Sequence, residues 1–211
     1  LRGVVEALGQ SAATDRPTLA RETTRAALMS ARGNSGVILS QIVRGAAEVL
    51  GSAETMDAGV VGRAFRGASD DAYRAVRRPV EGTMLTVIRE LAEAAEQEAA
   101  TLEPAELLTR LVERGEEAVA RTPEQLDVLR EAGVVDAGAA GLVELLRGLA
   151  ASAAGEPLPE TPMLEEPTVE AIHQELSRYR YCTTFVVEGQ QLDAEALEAE
   201  VDKLGDSLLV V

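Results

Sequence analysis

Apolar residues recur at helical spacing through most of the chain up to Ala154, and this periodicity constrains the fold more than any other feature of the sequence. Apolar positions three and four residues apart form one face of an amphipathic helix. Aromatic residues make up only 2% of the chain and Trp is absent, so we expect a core of Ala, Leu, Val and Ile, which suits closely packed helices. The pattern predicts helices at about 1–8, 19–32, 35–50, 57–77, 83–100, 103–120 and 122–133, with a last one that reaches Ala154.

The pattern changes after a proline-rich segment. Residues 155–167 hold four of the eight prolines and show no periodicity, which is typical of a linker. Beyond it, a helical pattern at 168–177, a run of β-forming residues at 181–188, a helical pattern at 192–204 and a second apolar run from Gly205 predict the start of a β–α–β unit. We therefore expect an all-helical domain at 1–155, a linker at 156–167 and a partial α/β domain at 168–211.

Charge and composition exclude several classes of function. A net charge of −16 argues against a broad surface for nucleic acid or anionic membranes, because such a surface must be positive. The single cysteine cannot form an internal disulfide, and neither a signal peptide nor an apolar run of about 18 residues is visible. We expect a cytoplasmic protein without stable membrane insertion. Because the chain starts within an apparent helix and stops on an apolar run, it is expected to be a piece of a longer protein.

Three turns in the helical region share one design, a small polar residue at a helix start marked by glycine. Their residues are Gly33, Asn34, Ser35 and Gly36, then Gly82, Thr83 and Met84, and finally Asp136 and Gly138. Asn34 or Ser35 is expected to cap the third helix, and Thr83 the fifth. If these helices start at one end of a bundle, their N–H groups and hydroxyls form a rim that can hold a polyphosphate. Ordinary capped helices would give the same pattern, so both interpretations stay open.

The three turns together resemble the ATP-binding component of bacterial fatty acid kinase, whose N-terminal domain is similar to the L subunit of dihydroxyacetone kinase. The order and spacing match over roughly residues 1–155. Two later stretches look like the opening of that family's middle domain. The segments that carry the resemblance are 31–41 (ARGNSGVILSQ), 81–87 (EGTMLTV), 133–138 (GVVDAG), 179–185 (YRYCTTF) and 205–208 (GDSL).

The resemblance implies a mostly α fold, an up-and-down barrel of about eight helices with the first one truncated, and then a partial α/β segment. It implies ATP and Mg²⁺ at one mouth of the barrel and a DegV-like fatty-acid-binding partner protein that presents the acyl carboxylate. The product would be an acyl phosphate for phospholipid synthesis, and the parent protein could form a homodimer. The turn at 33–36 would match the phosphate side of the nucleotide, the turn at 82–84 a second nucleotide contact, and Asp136 with Gly138 the loop towards the nucleoside.

One part of the family pattern is absent. The family places a metal-binding loop of the type Asp-Gly-Asp-Thr-Gly-Thr-Asn just before the helix that begins here, and its carboxylates would bind Mg²⁺. The pair Asp70-Asp71 lies within a predicted helix and is expected to be a solvated face. We therefore assign no metal ligand and no catalytic residue, and expect this chain by itself to bind Mg-ATP weakly and to catalyse nothing.

Other reactive side chains have ordinary explanations. His173 is expected at a surface or an interface, and Cys182 as a small buried residue of a strand, although the family's cysteine at this place could join downstream histidines at a metal site. Arg32 would either neutralise phosphate charge or stabilise the end of a helix.

Two other functions remain open from the sequence. The chain could belong to a dihydroxyacetone-kinase-like phosphotransferase, or it could be a non-catalytic helical scaffold. Glycine-marked caps all at one end of the bundle would favour an enzyme, and caps at both ends would favour the scaffold.

Overall fold

The computed structural model describes residues 1–157, 183, 185, 187–189, 192–205 and 208. These residues form helices and loops without a strand, which confirms the prediction of a mostly helical chain. The helices are α1 (Arg2–Gln10), α2 (Arg16–Ser30), α3 (Gly33–Ser52), α4 (Ala58–Ala75), α5 (Met84–Glu98), α6 (Pro104–Gln125), α7 (Asp127–Ala132), α8 (Ala137–Ala154) and α9 (Ala194–Val201).

The helix expected at 192–204 is confirmed by α9. The helix expected at 168–177 lies outside the described residues, as do His173, Cys182 and most positions of the two expected β runs.

Helices α1 to α8 form an up-and-down bundle. Each of α1 to α6 packs against the next helix in the chain, and α6 also packs against α8 across the short α7. Neighbouring helices run in opposite directions. Gly51, at the end of α3, meets Ala20, near the start of α2. Arg44 of α3 bonds Asp71 of α4, whereas the next residue of α3, Gly45, meets the earlier Gly67 of α4. A helical bundle was the predicted architecture.

The core lies mainly among α4, α5, α6 and α8. Its largest fully buried aliphatic side chains come from α5 and α6, while α4 contributes mostly alanines. The apolar stripes predicted for α4 and α5 are the ones that turn inward. The least exposed core residues are Val60, Ala72, Val87, Ile88, Leu91, Ala92, Ala95, Leu107, Leu111 and Ala139.

Helices α3 and α4 cross at a pair of glycines. A Cβ on Gly67 would lie 2.8 Å from the carbonyl oxygen of Gly45, and a Cβ on Gly45 would overlap the carbonyl group of Gly67. The two backbones can approach this closely only because neither residue carries a side chain.

Helix α6 is longer than the sequence pattern predicts. A break before Pro123 was expected, but α6 continues through it to Gln125. A proline inside a helix removes one N–H donor, here the partner of the Val119 carbonyl. The hydroxyl of Thr122 donates to that carbonyl at 2.8 Å, so the acceptor is not left without a partner.

One helix of the described residues, α8, has the length and apolar composition of a membrane span. Leu142, Val143 and Leu146 of this helix are buried inside the bundle, and α8 packs against α5 and α6. A core helix meets the same criteria of length and composition, so we interpret α8 as part of the core.

Candidate functional site

The second and third turns lie in contact with each other at the C-terminal end of α6. A Cβ on Gly82 would lie 3.0 Å from the carbonyl oxygen of Thr122, and a Cβ on Gly138 would lie 2.9 Å from Cε of Met84. The backbone N–H of Asp136 donates to the hydroxyl of Thr122 at 3.1 Å. The starts of α5 and α8 therefore sit side by side.

The first turn lies at the same end of the bundle. Because α3 and α4 run antiparallel through the Arg44–Asp71 pair, the start of α3 lies beside the end of α4. The end of α4 is tied to the second turn, since the hydroxyl of Tyr73 donates to the carboxylate of Glu81 at 3.0 Å.

Left-handed glycines and side-chain caps occur at both ends of the bundle, since Gly155 after α8 has a φ of 70°. At the end that holds the three turns, Gly33 is the first residue of α3 and has a φ of 62°, while Gly82 and Gly133, with φ of 79° and 67°, precede α5 and α8. At the opposite end, Asp15 caps α2 and Asp57 caps α4 through bonds of 2.9 and 2.8 Å to backbone N–H groups. The starts of α3, α5 and α8 share one end, but Asp57 with Gly59 at the opposite end repeats the spacing of Asp136 with Gly138. The distribution of caps therefore does not favour an enzyme over a scaffold.

A buried threonine holds the second turn. The hydroxyl of Thr86 accepts from the N–H of Gly82 at 2.8 Å and donates to the carboxylate of Glu81 at 2.7 Å. The guanidinium of Arg89 donates to the same carboxylate at 3.1 Å. Thr83 caps α5 as predicted, because its hydroxyl accepts from the N–H of Leu85. The turn is therefore fixed from both sides.

Burial and hydrogen bonding shift the pKa values of the titratable groups in this network. Burial acts to raise the pKa of Glu81, but hydrogen bonds from Thr86, Arg89 and Tyr73 outweigh it and hold the pKa of this carboxyl below its usual value. Hydrogen bonding to Tyr73 and Glu81 raises the pKa of the Arg89 guanidinium, and burial raises the pKa of the Tyr73 phenol. At neutral pH the network is a carboxylate held by a guanidinium and two hydroxyls.

The third turn is held by Thr122, which is fully buried. Its hydroxyl joins the N–H of Asp136 to the carbonyl of Val119, through bonds of 3.1 and 2.8 Å. Asp136 caps α8, with its carboxylate accepting from the N–H of Ala139 at 2.7 Å. A carboxylate already supplies negative charge at the start of α8, so this helix start is not suited to bind a second anion.

The first turn differs from the other two, and one prediction made for it is wrong. Neither Asn34 nor Ser35 caps α3, because the helix starts at the left-handed Gly33, two residues before the predicted start at residue 35, and both residues lie in its first turn. The residue at the cap position, Arg32, makes no side-chain cap bond and instead donates to the carbonyls of Ala31 and Met29 at the end of α2. Gly33, Asn34 and Ser35 are exposed, so the start of α3 faces solvent.

The acidic pair of α4 is also different from the prediction. Asp70 is exposed, but Asp71 is buried and forms ion pairs of 2.8 Å with Arg44 and 2.7 Å with Arg74. Asp71 falls on the face of α4 that turns towards α3. Within the part of the chain that the structure describes, no three His, Cys, Asp or Glu side chains are grouped as metal ligands.

Sequence reasoning missed Tyr73, Thr86, Arg89 and Thr122. A signal was present for Thr86, since it falls on the predicted apolar face of α5 between Leu85 and Ile88, where a polar side chain needs a partner.

Comparison with known proteins assigns the family. Residues 1–151 match the DAK2 domain, and residues 178–211 match the FakA-like middle domain of fatty acid kinase. The helical bundle with its glycine-marked helix starts is therefore a domain of a kinase-related class. The chain belongs to the DAK2 domain family.

The chain is also similar to longer bacterial proteins that carry the word uncharacterized in their names. A protein of Staphylococcus saprophyticus is 36% identical over 207 residues, which cover 92% of this chain and 38% of the relative. Proteins of Staphylococcus aureus and Staphylococcus haemolyticus are each 34% identical over 208 residues, with the same coverage. The chain spans 38% of the length of these relatives.

Proposed function

We propose that this chain is the ATP-binding part of a kinase that phosphorylates a fatty acid presented by a DegV-like binding protein, giving an acyl phosphate. The observation that carries the proposal is the succession of two family matches, a DAK2 domain followed by a FakA-like middle domain of fatty acid kinase. A DAK2 domain alone would serve a dihydroxyacetone-kinase-like enzyme equally well. The second match favours the fatty acid. A cytoplasmic location and a homodimer of the whole protein belong to the same proposal.

We propose a division into a kinase domain at 1–155, a linker at 156–167 and a middle domain that starts within 168–211. The first boundary is supported by the end of α8, where Gly155 adopts a left-handed conformation with φ of 70°. The second is supported by the middle-domain match, which begins at residue 178.

The start of α3 is the proposed phosphate site. Its first-turn N–H groups carry partial positive charge and are exposed, and no side chain caps them, whereas Thr83 and Asp136 cap α5 and α8. We propose that residues 33–36 contact the phosphates and that the second turn contacts the nucleotide through Thr83, because its neighbours Gly82 and Met84 are buried. Asp136 and Gly138 would face the nucleoside. The carboxylate of Asp136 would then lie away from the negative charge of the phosphates.

Such a site suits phosphoryl transfer, which depends mainly on positioning and on stabilising charge. The chain's own contribution would be to hold the polyphosphate by N–H groups that are already aligned. ATP is used by this class of enzyme together with Mg²⁺, but the described carboxylates do not form a Mg²⁺ site: Asp71 and Asp136 are both engaged within the bundle.

The acceptor distinguishes the candidate enzymes. With the full-length protein, we expect ATP-dependent formation of acyl phosphate only when a DegV-like protein loaded with fatty acid is added. Dihydroxyacetone, tested without that partner, should not be phosphorylated. Phosphorylation of dihydroxyacetone with none of the fatty acid would overturn the proposal in favour of the alternative enzyme, and transfer to neither acceptor would favour the scaffold.

A further inference from the structure

Helix α9 contacts the bundle through carboxylates that face two adjacent arginines. The guanidinium of Arg77 lies 3.9 Å from the carboxylate of Glu198 and 3.6 Å from that of Asp202. The guanidinium of Arg78 lies 3.7 Å from the same Asp202 carboxylate. One short helix after the linker is thus joined by charge to the connection between α4 and α5.

The contact uses one face of α9. Glu198 and Asp202 are four residues apart, which places them on the same side of a helix. Both are partly buried, as are their neighbours Leu197 and Val201, while Glu195 and Glu200 are exposed. Glu198 and Asp202 therefore form a pair that is docked on the bundle, and Glu195 and Glu200 form a pair that is solvated.

The two arginines lie in the connection that leads into the second turn of the proposed nucleotide site. This short connection runs from the end of α4 to the Gly82–Thr83 turn. The connection ends in a tight turn, in which the hydroxyl of Thr83 donates to the carbonyl of Val80 at 2.8 Å. It lies at the end of the bundle where α3 begins. In a chain with a net charge of −16, paired guanidinium groups at this end are suited to neutralise a polyphosphate.

The ion pairs with α9 are weak enough to be exchanged. Distances of 3.6 to 3.9 Å exceed those of charge-assisted hydrogen bonds. The side chains of Arg77 and Arg78 are 39% and 77% exposed, and exposed ion pairs contribute little to stability. A phosphate group can instead accept two parallel bonds from a guanidinium, which is a stronger interaction.

We propose that Arg77 and Arg78 alternate between two anions, the α9 carboxylates and the polyphosphate of a bound nucleotide. This inference rests on the proposed function, because it places nucleotide phosphates at this end of the bundle. Docking of α9 then opposes nucleotide binding, and nucleotide binding releases α9. The arrangement links the segment after the linker to the occupancy of the site.

The test compares two double variants of α9 that lose the same charge. In the full-length protein, Glu198→Gln with Asp202→Asn removes the docked carboxylates, and Glu195→Gln with Glu200→Gln removes the solvated ones. By calorimetric titration we expect the first variant to bind Mg-ATP about threefold more tightly than the wild type, and the second to match the wild type. Inorganic tripolyphosphate should show the same ratio, because the competition is for phosphate.

The arginines supply the complementary variant. Arg77→Gln with Arg78→Gln should weaken Mg-ATP binding about tenfold. If the wild type binds nucleotide but the two α9 variants bind alike, or the arginine variant keeps full affinity, this inference fails and the proposed function stands. A tighter affinity for ATP without one for tripolyphosphate would also overturn it. If the full-length wild type binds no nucleotide, both the inference and the proposed function fail.

Discussion

Replacing Gly82 with alanine should lower the free energy of unfolding by about 3 kcal/mol and should weaken nucleotide binding. Gly82 adopts a φ of 79°, which an alanine tolerates poorly. An added Cβ would also lie 2.9 Å from Cβ of Leu126 and 3.0 Å from the carbonyl oxygen of Thr122. Both atoms belong to or adjoin the end of α6, so the start of α5 would have to move. Chemical denaturation measures the loss of stability.

Gly133→Ala is the matched control for this variant. Gly133 has a similar φ of 67°, but nothing lies within 4 Å of the position of its Cβ. Gly133→Ala should therefore lower the free energy of unfolding only by the cost of a left-handed alanine, about 1–2 kcal/mol. Equal losses for the two variants would show that α5 does not pack on α6 at Gly82, which would contradict the contact between the second and third turns.

Replacing Gly45 with alanine should lower the free energy of unfolding by about 2 kcal/mol, although alanine is the better helix former. The added Cβ would lie 2.8 Å from the backbone nitrogen of Ala68 and would overlap the carbonyl group of Gly67. Because these are backbone atoms in the middle of α4, a side-chain rotation cannot relieve the overlap. Helices α3 and α4 must separate, which also moves the start of α3. Thermal and chemical denaturation report the loss.

Gly141→Ala is the control for Gly45→Ala and should raise the free energy of unfolding. Gly141 lies within α8, is exposed, and has no atom within 4 Å of the position of its Cβ. Only the gain in helix propensity remains, so this variant should be more stable than the wild type by about 1 kcal/mol. If Gly45→Ala were stabilising as well, the close crossing of α3 and α4 would be wrong.

Most of the helical architecture could be predicted because it depends on local patterns. The apolar stripe of α5, which includes Ile88 and Leu91, predicts which face of this helix is buried. The cap of Asp57 before α4 has a local signal as well. Helix boundaries are harder to predict where two local rules compete. Pro123 predicts a break, but the hydroxyl of Thr122 satisfies the carbonyl that the proline leaves without a donor, and α6 continues.

The candidate site could be predicted only in part. The glycine-marked helix starts were visible in the sequence, but their contacts with each other depend on long-range packing. The hydrogen bond between the N–H of Asp136 and the hydroxyl of Thr122 joins residues 14 positions apart, and no local sequence pattern predicts it. The cap position of α3 was wrongly predicted because Asn34 and Ser35 are good capping residues, whereas the conformation of Gly33 decides where the helix starts. Contacts of α9 with Arg77 span more than 100 residues.

Calorimetric titration of Mg-ATP tests the central claim most directly, with this chain compared with an extended chain that includes the upstream segment where the resemblance implies an aspartate loop. Mg²⁺ needs carboxylate ligands, and the nucleotide's phosphates need both the metal and the start of α3. We predict strong binding by the extended chain and weak binding by this one. Failure of the extended chain to bind Mg-ATP would contradict the nucleotide site and, with it, the proposed kinase.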